Sequence, residues 1–118
     1  MLCKYLSPEV WSQLHDKKDS LGVSFKLCIM SGCQNTDSGI GVYAASPDSY
    51  TAFSQLFTPI IEEYHKIKID SGHVSNMDYT QLNCPPFSEE DAKMIKSTRI
   101  RVGRNLADFP LGPGISKT

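Results

Sequence analysis

Arg99, Arg101 and Arg104 are the only arginines in the chain and fall within six residues, in Lys96-Ser-Thr-Arg-Ile-Arg-Val-Gly-Arg104. Everywhere else the positive charge is lysine. A guanidinium is a rigid planar fork that meets phosphate or carboxylate oxygens two at a time, whereas an ammonium is a point charge. Arginine confined to one stretch therefore points to an anion held there. Thr98, Ile100 and Val102 alternate with Arg99 and Arg101, a period of two that predicts a strand with one polar face. On such a strand the two arginine Cα atoms lie roughly 7 Å apart, a spacing that suits neighbouring phosphates. Ser97 and Thr98 add hydroxyl donors. The same pattern also suits a solvated edge strand, kept from aggregating by its basic side chains.

A second candidate is Ser38-Gly-Ile-Gly-Val-Tyr43, which follows Asp37. Gly39 and Gly41 flank Ile40, and glycines allow the backbone to approach a ligand closely, so that N–H groups can point at an anion such as a carboxylate, with Tyr43 closing one side. An ordinary inter-helix loop needing positive φ fits the same residues. Two glycines with no preceding strand are not a dinucleotide fingerprint. His15, His65 and His73 have no partner at metal-ligand spacing, and Cys3, Cys28, Cys33 and Cys84 form no CxxC pair. Trp11 reads as core and Glu62-Glu63 as a solvated helix face.

Helices must position these groups. Ser7-Pro8-Glu9 is a helix start, with Val10, Trp11 and Leu14 on one face, Lys17 and Lys18 in the last turn and Gly22 as the stop. Ser24 caps a second helix, with Phe25, Cys28 and Ile29 on one side, running into Ser31-Gly32. Ser46-Pro47-Asp48 repeats the start signal. Behind it Tyr50, Phe53, Phe57, Ile60, Ile61 and Tyr64 form a wide apolar stripe, with a kink expected near Thr58 because of Pro59. From about Lys66 to Glu90 the periodicity is lost, and a domain boundary is placed there. Ser88 caps a further helix. The end, from Phe109, reads as a Pro/Gly loop that stops without a closing element.

With 118 residues, a net charge of −1 and 40% hydrophobic residues, the chain fits one modest soluble domain or one domain and part of another. The charge balance argues against a general nucleic-acid or membrane-surface binder, and no apolar run reaches the roughly 20 residues that span a bilayer. The start does not read as a secretory signal, so free cysteines in a reducing cytoplasm are expected.

Four stretches, in this order, resemble the phosphagen kinases, the ATP:guanidino phosphotransferases, and among them most the arginine-specific members. Lys4-Tyr-Leu-Ser-Pro-Glu-Val10 is similar to the family's early helix. Ser31-Gly-Cys-Gln-Asn-Thr-Asp-Ser-Gly-Ile-Gly-Val-Tyr-Ala44 is similar to its guanidino-substrate loop. Leu56-Phe-Thr-Pro-Ile-Ile-Glu-Glu-Tyr-His65 is similar to the helix closing its N-terminal domain, and Ser97-Thr-Arg-Ile-Arg101 to its nucleotide-phosphate motif.

The resemblance implies a mainly α fold. Residues 1–85 would be a helical guanidino-substrate domain, and residues 86–118 a linker and the first strand of an α+β catalytic domain. It implies that Ser38, Gly39, Ile40, Gly41, Val42 and Tyr43 hold the carboxylate and amine end of L-arginine. Ser97, Thr98, Arg99, Ile100 and Arg101 would hold the phosphates of ATP or ADP, with Mg2+ carried by the nucleotide. The partners implied are L-arginine, ATP and the missing catalytic domain of the same polypeptide. Taurocyamine or lombricine as the guanidino substrate, or a phosphate-binding module without catalysis, are the other readings. Ile100, Val102, Asn105 and Cys33 depart from the family's usual valine, cysteine, serine and valine. No cysteine here matches the family's reactive one, so the chain is expected to be a fragment, inactive by itself.

Overall fold

A computed structural model describes residues 1–72 and 74–116; His73, Lys117 and Thr118, and with them the reading of His73 as no ligand, lie outside the described residues. Two compact units divide the chain, Met1–Gly72 with Asn105–Thr118, and His73–Arg104. Regular structure is mainly helical. Among the described residues the only β pairing is a single antiparallel bridge, Lys18 to Ser24.

In the first unit, α1 (Leu2–Tyr5) and α2 (Pro8–Leu14) open the chain. Ser7 caps α2 as its sequence predicts: Oγ accepts the Val10 amide at 3.3 Å, and Pro8 occupies the first turn, where no N–H is needed. The helix ends at Leu14, earlier than expected. Lys17 and Lys18 are not in its last turn; they open a tight reversal instead. The Asp19 amide donates to the Val23 carbonyl at 3.0 Å, the Gly22 amide to the Asp19 carbonyl at 2.9 Å, and the Phe25 amide to the Lys17 carbonyl at 3.1 Å. Gly22 has φ +76 and turns this hairpin rather than stopping a helix.

Helix α3 (Phe25–Gln34) buries Phe25, Cys28 and Ile29, the face read from the spacing. Next, α4 (Ser49–Ala52) and α5 (Ser54–His65) carry the aromatic stripe. The stripe breaks at Phe53 (φ −115), not at Thr58. α5 passes through Pro59, which only leaves the Gln55 carbonyl without its i+4 donor. Phe53, Leu56, Phe57 and Ile60 are buried, and the Phe25 and Phe53 rings meet edge-on at 5.3 Å. Tyr50, Tyr64 and Trp11 flank this core and are partly exposed, so Trp11 is not the core residue its aromaticity suggested. Instead it packs one side against Phe25 at 6.3 Å and lies 5.9 Å from Lys26 Nζ. α5 ends on Lys66, in the left-handed conformation at φ 58.

The Pro/Gly end does not hang free. The Leu111 amide donates to the Ala45 carbonyl at 2.8 Å, and the Leu111 side chain packs against the core.

The second unit holds a 3-10 turn, Tyr79–Gln81, and α6 (Glu89–Met94). Ser88 caps α6, its Oγ accepting the Asp91 amide at 3.1 Å, as read from Ser88-Glu-Glu-Asp91. No residue from 74 to 104 is buried.

Candidate functional site

Between α3 and α4 the chain crosses the first unit as an extended loop containing Ser38, Gly39, Ile40, Gly41, Val42 and Tyr43. Backbone bonds fasten it. The Leu2 amide donates to the Ile40 carbonyl at 2.9 Å, the Gly32 amide to the Gly41 carbonyl at 3.1 Å, and the Tyr43 amide to the Cys28 carbonyl at 2.8 Å. The amides of Gly39, Ile40, Gly41 and Val42 donate to no group among the described residues. Gly41 and Val42 are buried, Ile40 half-buried and Gly39 exposed, so these four successive donors are open to water or a ligand.

Alternation sorts the side chains. Ile40, Val42 and Ala44 line an apolar cavity of about 160 Å³ against Phe57, Ile60 and Tyr64. Tyr43 is 56% exposed, on the other side of the same strip of chain. Gly41 has φ +81, which side chains rarely adopt. Gly32, inside α3, is glycine for a different reason. A Cβ there would lie 2.4 Å from the Gly41 carbonyl oxygen and 2.7 Å from Leu2 Cδ2.

Asp19 secures the loop's exit. Its buried carboxylate accepts from Ser46 Oγ at 2.7 Å and Ser49 Oγ at 2.8 Å on one oxygen. On the other it accepts the Leu21 amide at 3.0 Å and the Val23 amide at 2.9 Å. Ser49 Oγ in turn accepts the Ala45 and Ser46 amides at 3.1 and 3.0 Å. Burial pushes this carboxyl up, but the hydroxyl and amide donors outweigh it and hold it below the usual aspartate range. Cys28 lies beside this network, fully buried; burial pushes its thiol up, away from reactivity. Sequence reasoning missed Asp19. The turn signal Asp-Ser-Leu-Gly was visible, but its serine partners lie 27 and 30 positions on.

Glu62 and Glu63 are more than a solvated face. Glu63 accepts from Lys4 Nζ at 2.5 Å and from the Tyr5 hydroxyl, tying α5 to α1. Glu62 accepts from Lys68 Nζ at 2.9 Å and the Ile69 amide at 3.1 Å. The hydrogen bond from Lys4, then that from Tyr5, lowers the Glu63 carboxyl; that from Lys68 lowers Glu62.

Ser97, Thr98, Arg99, Ile100 and Arg101 belong to the second unit. The strand expected over residues 98–102 is not formed, and residues 95–106 carry no regular structure. A strand needs a neighbour to satisfy its amides, and no such neighbour occurs among the described residues. Arg99 and Arg101 are exposed, Ile100 is 88% exposed, and Arg104 Nη1 donates to the Gly103 carbonyl, at 2.7 Å.

The first unit is thus a small helical domain built around one fastened glycine loop. The family model of the ATP:guanido phosphotransferase N-terminal domain matches residues 1–62, and the chain belongs to that family. It is 45% identical over 115 residues to an arginine kinase of Anthopleura japonica, covering 97% of this chain and 16% of that protein. It is 42% identical over 117 residues to an arginine kinase of Callinectes sapidus, covering 99% of this chain and 33% of that protein. With "Arginine kinase Lit v 2" of Penaeus vannamei the identity is 39% over 118 residues, covering the whole chain and 33% of the relative. The chain thus spans a third or less of the length of these relatives.

Proposed function

We propose that this chain is the substrate-presenting part of an arginine kinase. The full enzyme would reversibly transfer the γ-phosphoryl group of MgATP to a guanidinium nitrogen of L-arginine, giving phosphoarginine and ADP in the cytoplasm and so buffering ATP. The observation that carries the reading is the loop of residues 38–43. Its four amides, unpaired among the described residues, stand beside the exposed Tyr43, in a stretch that resembles the arginine-specific form of the family's substrate loop.

In this reading the amides of Gly39, Ile40, Gly41 and Val42 receive the substrate carboxylate. They act as fixed dipoles that need no reorganisation when the anion arrives. Ser38 and Tyr43 border the amine end. The fastening to Leu2, Gly32 and Cys28 matters because in-line phosphoryl transfer gains most from holding the nucleophile in place. Arg99 and Arg101, with Ser97 and Thr98, bind nucleotide phosphates once residues 98–102 pair as a strand in a complete catalytic domain. Mg2+ would neutralise charge on the phosphates. Among the described residues no group of three His, Cys, Asp or Glu side chains is placed to hold a metal ion, and the nucleotide itself would carry Mg2+.

The test is titration of the 118-residue chain with L-arginine, followed by amide NMR. Shifts centred on residues 39–43 are expected, together with no phosphoryl transfer by the chain alone from MgATP. Shifts elsewhere, or larger shifts with taurocyamine or lombricine, overturn the assignment of the loop to L-arginine.

A further inference from the structure

The segment after the arginine stretch returns to the exit of the loop. Asp108, at φ 67, turns the chain, and the Leu111 amide then donates to the Ala45 carbonyl at 2.8 Å. The Gly114 amide donates to the Leu111 carbonyl at 2.8 Å and closes a short 3-10 turn. That turn is pressed onto Ala45: a Cβ on Gly114 would lie 2.7 Å from the Ala45 carbonyl oxygen and 2.9 Å from Pro110 Cβ. Ala45 is fully buried and held on both sides, because its own amide is taken by Ser49 Oγ at 3.1 Å. Two residues upstream, the Tyr43 amide is fastened to Cys28. The loop's exit is therefore pinned at closely spaced points, and one of the pins belongs to a segment 66 positions further along the chain than Ala45 (111 against 45).

We infer that residues 108–114 are a clamp on the substrate loop, with Leu111 and Gly114 as positioning residues that hold residues 39–43 in their binding shape. The inference rests on the substrate reading above. A loop ordered before the ligand arrives avoids the entropy of being ordered by it, so the clamp acts on substrate affinity. The arginine stretch ends at Arg104, and the chain reaches the clamp within a few residues.

Two glycines make a matched test. Gly112 has nothing within 4 Å of an added Cβ, whereas Gly114 meets backbone. Gly114→Ala and Gly112→Ala are made in the 118-residue chain, with a third form ending at Arg104 in case Gly114→Ala stays docked. Amide exchange is followed at Leu111, Tyr43 and Val23, and L-arginine is titrated. Releasing or removing the segment speeds exchange at Tyr43 about tenfold and leaves Val23 unchanged. It also weakens L-arginine binding about fivefold. Gly112→Ala changes neither. The clamp is overturned if the segment is released or removed while Tyr43 exchange or L-arginine affinity stays at the parent value. If the parent chain binds no L-arginine but Tyr43 still responds, the substrate reading fails and the mechanical clamp stands.

Discussion

The Gly32 amide donates to the Gly41 carbonyl at 3.1 Å, and a Cβ on Gly32 would lie only 2.7 Å from Gly41 Cα. A helix and the glycine loop therefore touch backbone to backbone. Neither glycine is there for flexibility alone. Gly32→Ala forces one of two hydrogen-bonded backbones to move, a case of overpacking that costs about 1–3 kcal/mol. Chemical denaturation should show that loss, with faster amide exchange at Tyr43.

The two glycines of the loop should separate. A Cβ added at Gly39 would meet nothing within 4 Å, and Gly39 does not have a positive φ, whereas at Gly41 φ is +81 and a Cβ would lie 3.1 Å from Gly32 Cα. In a full-length enzyme carrying this segment, Gly39→Val should keep the melting temperature and raise KM for L-arginine far more than KM for ATP. Gly41→Val should lower the melting temperature as well. Steady-state kinetics beside thermal melts distinguishes the two.

Asp19 should give the fold an acid limit. Its carboxyl is held below the aspartate range in the folded chain. Its contribution is therefore complete above the unfolded value, about 3.9, and is lost as pH falls through the lower folded value. Asp19→Asn keeps the shape but removes the charge that four donors share, and should cost about 2 kcal/mol near neutral pH. Urea midpoints measured from pH 7 downward should fall for the parent below pH 4. The variant should start lower and change less.

Lys66 ends α5 at φ 58, a conformation that costs a residue with a Cβ roughly 1 kcal/mol. Its backbone amide donates to the Glu62 carbonyl whatever the side chain. Lys66→Gly should therefore stabilise the domain by about 0.5–1 kcal/mol, read as a melting temperature raised by a few degrees. An unchanged or lower midpoint would mean that the Lys66 side chain makes an offsetting contribution.

Arg99→Ala and Arg101→Ala should leave the stability of the 118-residue chain unchanged, since both side chains are exposed. In the full-length enzyme the same changes should weaken nucleotide binding and turnover. Unaltered ATP affinity and rate would remove the phosphate role.

Much of this was local and therefore legible in the residues. The Ser7 and Ser88 caps, the Phe25-Cys28-Ile29 face and the buried part of the aromatic stripe each depend on neighbours three or four positions away, where helical periodicity acts. The glycine loop, too, was marked by composition, and the order of the motifs pointed to the family that the N-terminal model then matched. What the residues could not announce was pairing at long range. Lys17 and Lys18 looked like a helix end until Asp19 captured the amides of Leu21 and Val23 and folded the segment into a hairpin. Trp11 looked like core because it is large, yet it only flanks Phe25, and the buried ring pair is Phe25 with Phe53. Residues 98–102 have the alternation of a strand and form none, because a strand depends on a neighbour that its own residues cannot supply. By itself the sequence determined the helices, the loop and the family. Only tertiary structure decided that Gly32 must be glycine, that Asp19 holds the loop's exit, and that Leu111 returns to Ala45. Each of those depends on atoms brought together from distant positions, where local spacing carries no signal.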